Sequence, residues 1–299
     1  MRGIVIVIVL VLATVALMTM SGSSALAKDN AAIYDSLKIA PNVPSEGPEA
    51  YAFKEFGDEV TFAGSARSLE RVTVTLSSWG CQTGHWYGGN CNSAAGATFQ
   101  QAITLNVYQA GVNNTAGALI ATQTRTFRVP YRPSASTRCT GGEWYAGSLG
   151  CFNGLERLVG FDFRSQNITL PNTVVYGMSY NSTHYGPAPI GEGAACFTSS
   201  GGCPYDSLNI GLGPKVNVGS KPLPDTIFQN ASVGSQYCDN GAAGVATFRL
   251  DSPSNACWAG FVPAVRFTAR RVDARDGDNT DSTGDDQSSG GDGNGDNGD

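Results

Sequence analysis

Histidine is nearly missing from this sequence. The 299 residues hold two, His85 and His184, too few for a histidine-rich metal centre or a histidine proton relay. Charged residues make up only 15%, and no basic stretch supplies the electrostatic footprint that a nucleic-acid partner requires. There is no GxSxG nucleophile elbow, and no glycine-rich loop joins a clear strand to a long helix to receive a pyrophosphate. Close CxxC pairs are lacking, which leaves zinc without its usual thiolate spacing. The sequence therefore implies no cofactor and no metal.

What it has in quantity is glycine, 38 residues, beside 41% apolar residues, a composition that fits a loop-rich globular body better than a long-helix protein. The formal charge of −6 is unevenly placed. Residues Asp273 to Asp299 contain nine Asp and one Arg, a local −8 that leaves +2 for everything before them. The segment 272–299 has too little apolar surface to offset the ordering of its backbone, so it is expected to be a disordered acidic tail. At the other end, Arg2 precedes an apolar run from Ile4 to Met18, and Ala25-Leu26-Ala27 supplies a small-residue cleavage signal. Residues 1–27 read as a secretory signal peptide, and the membrane enters only through that peptide during export.

Residues 28–47 read as an irregular lead and 48–271 as a single β domain. Val72, Val74 and Leu76 share one face of a strand and Thr73, Thr75 and Ser77 the other. Ile103, Leu105 and Val107 alternate with Thr104, Asn106 and Tyr108, and Val265, Phe267 and Ala269 alternate with Arg266, Thr268 and Arg270. Further strands are expected over 59–62, 119–129, 158–163, 173–180, 207–210 and 245–250. Helical periodicity is weak. Many short strands separated by Gly, Asn, Ser and Pro imply an all-β, antiparallel β-sandwich, with a jelly roll as the preferred version and disulfide-closed loops.

Eight cysteines form an even set that suits an oxidising compartment. The simplest hypothesis is four local clasps, Cys81 to Cys91, Cys139 to Cys151, Cys196 to Cys203 and Cys238 to Cys257, although spacing alone leaves other pairings open. Two of these loops echo each other. Trp86-Tyr87 follows Cys81 at the distance at which Trp144-Tyr145 follows Cys139. Trp86, Tyr87, Trp144 and Tyr145 are the candidate ligand-binding residues, because disulfide closure limits their disorder and aromatic rings can stack on a sugar or enter an interface. The competing reading is that the four simply cover the sandwich core.

Asp206 and Asp251 are candidate calcium ligands, set against the commoner role of satisfying turns. Glu143, Glu156, Asp162 and Glu192 are the carboxylates available for glycoside hydrolysis, which requires two at a defined separation. Sequence spacing does not measure that separation, so no catalytic residue is assigned.

Three segments, Val72-Thr73-Val74-Thr75-Leu76-Ser77-Ser78-Trp79-Gly80-Cys81, Val175-Tyr176-Gly177-Met178-Ser179-Tyr180-Asn181-Ser182 and Tyr205-Asp206-Ser207-Leu208-Asn209, resemble uncharacterised secreted bacterial β-sandwich proteins. That resemblance implies export and a β scaffold and transfers no activity. The expected function is a secreted extracellular or cell-surface binding module with carbohydrate as the leading ligand class, its partner a polysaccharide or an extracellular surface protein. A structural extracellular protein and a glycoside hydrolase are the alternatives.

Overall fold

The computed structural model describes residues 31–37, 40–84, 86, 88–113, 115–180, 208–251 and 257–271. The expected signal peptide and acidic tail lie outside them. The strands, in chain order, are β1 (Ala31–Asp35), β2 (Ser45–Glu46), β3 (Glu55–Thr61), β4 (Ser68–Ser78), β5 (Thr98–Ala110), β6 (Ala116–Pro130), β7 (Trp144–Tyr145) and β8 (Cys151–Phe152). They continue with β9 (Leu155–Asp162), β10 (Thr173–Ser179), β11 (Leu208–Gly213), β12 (Phe228–Gln229), β13 (Arg249–Leu250), β14 (Val262–Pro263) and β15 (Val265–Arg270). One helical turn, α1 (Pro48–Tyr51), precedes β3.

Every strand pairing is antiparallel, and the pairings nest. β5 pairs with β6, β4 with β9, β3 with β10 and β1 with β15, as in one long hairpin ribbon. The ribbon folds over so that its pairs fall alternately into two sheets, β1-β15-β4-β9 and β3-β10-β5-β6. This is the jelly-roll order, and it confirms the sandwich expected from alternation. One hydrophobic cluster joins the inner faces, with Val72, Val74, Leu76, Val159, Phe161 and Phe267 from one sheet. Ile103, Leu105, Val107, Val174, Tyr176 and Met178 face them from the other. Residues of β11 and β14 extend the first sheet, and β12 and β13 extend the second.

Two expectations need correction. The lead 28–47 is not irregular throughout, because β1 pairs with β15 over Ala31 to Asp35. Its signal is hard to read because the register shifts between Ala32 and Tyr34, so that Ile33 and Tyr34, neighbours in sequence, are both buried. The strand expected at 245–250 is reduced to Arg249–Leu250. Arg249 turns its guanidinium back onto the Gly244 carbonyl, and Ala246 takes a positive φ of 59°, which bends the segment away from a ladder. The expected strand at 207–210 is found from Leu208 onward, and Ser207 lies outside the described residues.

Both open sides of the sandwich are closed. On one, Gln123 and Arg125 of β6 donate from their side chains to the Asp162 and Gly160 carbonyls on the free edge of β9, at 2.9 and 2.8 Å. On the other, a strap over residues 217–221 bridges the two sheets, Val218 pairing with Asp35 and Ser220 with Thr61. The strap inserts Lys221 into the interior, where it forms an ion pair with Asp58. Charges buried this deeply are uncommon without a partner.

The outer face of β3 and β10 is covered as well. Val175, Phe228 and Leu250 form a second small core with Tyr108 and Phe248 against it. This explains why β10 is buried on both faces instead of alternating. Beside it, Glu55 reaches across Gly177 of the intervening strand to accept hydrogen bonds from Asn106 Nδ2 and Tyr108 Oη, both at 2.9 Å. A side chain on residue 177 would occupy the space that the Glu55 carboxyl fills.

Glu46 on β2 supplies a test of buried charge. Burial pushes its carboxyl up to about 7, only partly opposed by the Tyr51 hydroxyl, and one of its oxygens is buried without a partner. The folded group therefore keeps its proton above the pH at which the unfolded one, near 4.5, loses it. Its contribution to stability is whole below that lower value and is lost as pH rises through about 7. Thermal melts of the Glu46→Gln variant should show a smaller loss between about pH 5 and about pH 8 than the parent does. Identical pH profiles would remove Glu46 from the account.

Candidate functional site

Alternating strand direction fixes where the long connections go. The segments joining β1 to β3, β4 to β5, β6 to β9 and β10 to β15 all leave at one end of the sandwich, and the other connections leave at the opposite end. Three disulfides, Cys81–Cys91, Cys139–Cys151 and Cys238–Cys257, lie in connections of the first kind. They match three of the four expected local clasps. Cys196 and Cys203 lie outside the described residues, and among those described no cysteine is free. Each bond closes a short loop, which removes unfolded-state freedom from segments that have little regular structure of their own.

The first two clasped loops are packed onto each other. The Arg132 amide donates to the Gly80 carbonyl at 3.0 Å, and the Ala135 amide donates to the Cys91 carbonyl at 2.9 Å. The Arg132 side chain is completely buried between the loops and donates to the Gly142 carbonyl at 2.6 Å. Burial pushes its guanidinium down to about 10, with Glu143 opposing the shift. Gly142 itself has φ of 78°, and a Cβ there would lie 2.3 Å from the Trp86 carbonyl oxygen. Only glycine combines that backbone with so close an approach.

The four candidate aromatic residues do not share one environment. Trp144 is 7% exposed; its Nε1 donates to the Gly154 carbonyl at 2.8 Å and its ring packs on Phe152 at 5.6 Å. It anchors the loop and presents no face to a ligand. Trp86 is half-buried, edge-on to Trp79 with ring centroids 4.8 Å apart. Tyr145 is 40% exposed, with the Arg138 guanidinium 5.1 Å from its ring centroid. Tyr87 lies outside the described residues. The repeated spacing therefore does not produce two equivalent loops, and the indole of Trp144 is directed inward, as the competing core-covering reading has it, because β7 and β8 form a small ribbon from which it reaches the Gly154 carbonyl.

Sequence reasoning missed Leu149, which is 65% exposed on the same clasped loop as Tyr145. It also missed Arg138 and Arg132. No periodic signal marks these three, although the Cys139 to Cys151 spacing marks the loop that carries Leu149 and that Arg138 directly precedes. Exposed apolar side chains on a segment fastened by a disulfide and by a buried indole are held ready before any contact is made.

The other candidates have structural occupations. Asp251 is buried, accepting from the Cys238 amide at 2.9 Å and from Gln229 Nε2 and Trp258 Nε1 at 2.8 Å each. Its oxygens are used by these donors, and the neighbouring Cys238 and Cys257 sulfurs are joined to each other, so this group does not make a cation site. Asp206, Glu192, His85 and His184 lie outside the described residues. Glu156 accepts from the Ala40 amide, and Asp162 is paired with Arg164, which draws its carboxyl down to about 2. These two carboxylates stand at opposite ends of β9, about 20 Å apart at the usual rise per residue. Glycoside hydrolysis needs them within roughly 5–10 Å.

The disulfides place the chain in an oxidising environment. Among the described residues no helix is long and apolar enough to cross a membrane. Comparison with protein-family models, curated proteins and solved structures finds no match to this chain.

Proposed function

We propose that the chain is an exported extracellular or cell-surface binding module that contacts carbohydrate through the clasped rim. The observation that carries this reading is the exposure of Tyr145 and Leu149 on a loop fixed by Cys139–Cys151 and by the inward Trp144. A phenol ring offers a flat apolar face to the C–H side of a sugar, and the neighbouring Arg138 offers guanidinium donors to its hydroxyls. Because the loop is already ordered, little additional freedom is lost on binding.

The structural-protein alternative turns on the sheet edges. Fibre-forming assembly uses long free sheet edges; the β9 edge is bonded by β6 side chains and the β1 edge is met by the strap, whereas β6, 15 residues long and strand-paired with β5 alone among the described residues, ends its sheet. The strands that end the sheets on the far sides, β13 and β14, are two residues long, so β6 is the edge on which such assembly would have to build.

A glycan array combined with size-exclusion chromatography tests the reading. The parent protein should be retained by a defined set of glycans and elute at one position at all concentrations. Tyr145→Ala with Leu149→Ser should weaken retention at least about tenfold, or about 1.4 kcal/mol, with an unchanged melting temperature. Equal retention by the double variant would move the contact away from this rim. No glycan retention together with concentration-dependent assembly would favour the structural alternative.

A further inference from the structure

The ion pair between Lys221 and Asp58 is more deeply enclosed than a bridge between a loop and a sheet needs to be. The two side chains are 8% and 0% exposed. Asp58 points inward from β3, opposite Tyr176 on β10, with which it is in register. Tyr34 and Tyr176, both completely or almost completely buried, lie within the field of the Asp58 carboxylate. Asp58 Oδ1 accepts the Glu59 amide at 2.9 Å, which leaves Oδ2 to meet the lysine Nζ. The strap delivers Lys221 in one position, since Ser220 exchanges backbone hydrogen bonds with Thr61 at 2.9 Å in each direction.

A primary amine held against a carboxyl oxygen, with both side chains almost enclosed, has the two partners of a condensation side by side. We propose that Lys221 and Asp58 form an intramolecular isopeptide bond from Nζ to Cγ, covalently fastening the 217–221 strap to β3. The proposal is independent of what the rim binds.

The chemistry balances without an added reagent. The pair starts as ammonium and carboxylate, and one proton passes from Nζ to Oδ2. The freed lone pair of Nζ attacks Cγ and forms the C–N bond, while Oδ1 carries the negative charge of the adduct against the Glu59 N–H. A second proton passes from Nζ to Oδ2, the charge on Oδ1 re-forms the carbonyl, and the Cγ–Oδ2 bond breaks, so Oδ2 departs as water. Ammonium plus carboxylate has become amide plus water, with no change of oxidation state.

Two features favour the neutral forms that this requires. Burial raises the Asp58 carboxyl to about 6 against the opposing pull of Lys221. The Glu59 carboxyl, within the field of the same ammonium, is available to carry the second proton. Replacing two buried charges by one uncharged amide also removes the desolvation that an enclosed ion pair suffers.

Peptide mass mapping of the full-length chain, reduced and alkylated under denaturing conditions, tests the proposal. The expected product is a branched peptide containing both Asp58 and Lys221, lighter by one water than the two separate peptides together. Lys221→Arg and Asp58→Ala should each abolish it, and Glu59→Gln should leave a measurable fraction unlinked. Because the decisive measurement is made on the parent protein, a variant that fails to fold does not obscure it. Recovery of the Asp58 and Lys221 peptides only as separate species of full mass would overturn the proposal and leave an ordinary buried ion pair.

Discussion

Asp251→Ala lowers the stability of the fold by about 3–5 kcal/mol, because three donors directed at one buried carboxylate lose their acceptor together. Gln229 Nε2 belongs to β12, the Cys238 amide to the third clasped loop, and Trp258 Nε1 to an indole packed on Phe56 at 5.6 Å. Asp251 thus ties the loop, the added strand and one end of the main core to one point. Its loss should be read as a melting temperature lower by roughly 10 °C and as a change in the near-ultraviolet signal of Trp258. Asp251→Asn should restore only part of the stability, since the amide keeps one oxygen and turns an N–H₂ toward donors. A shift of less than about 1 kcal/mol in the alanine variant would show that water or backbone rearrangement replaces the acceptor.

Gly57→Ala should cost about 3 kcal/mol for the addition of a single methyl group. Gly57 on β3 lies between β10 and β12, and a Cβ built on it falls 1.7 Å from the Tyr176 carbonyl oxygen. The obstacle is backbone, so no rotamer change relieves it. The β3–β10 ladder must open locally, which also disturbs Phe228 opposite Gly57 and the small core around Val175. Chemical denaturation would measure the effect, with Gly64→Ala as the comparison. A Cβ on Gly64 meets nothing within 4 Å, although its φ of 61° adds some backbone strain. If Gly57→Ala were no more destabilising than Gly64→Ala, the close approach would not limit the packing of these strands.

Alternation made the long strands readable. In β5, Ile103, Leu105 and Val107 point inward while Thr104, Asn106 and Tyr108 point outward, as their spacing requires. It failed where a second layer or a bulge intervened. Val175 is as buried as its inward neighbours because Phe228 and Leu250 cover the outer face, and nothing near Val175 in sequence announces residues that far away. Ile33 was unreadable for a different reason, since a shift in register places two consecutive side chains inside.

The rim shows the same division. Cysteine spacing marked the clasps, three of which are found as expected, because short loops bring their ends together with little dependence on the rest of the chain. The spacing Cys to Trp-Tyr, however, described two loops alike whose indoles differ in burial and partners. Orientation there depends on Gly154, Trp79 and Arg132, which come from segments on either side of the loops.

Composition and local pattern by themselves determined an all-β chain, its principal strands and its locally closed loops, since each follows from side chains a few residues apart. Only the tertiary structure decided the nested strand order, the inward turn of Trp144, the exposure of Tyr145 and Leu149, and the meeting of Asp58 with Lys221. Those features join residues as distant in sequence as Asp35 and Arg266, 231 positions apart, and contacts over that separation exist only once the sheets have folded against each other.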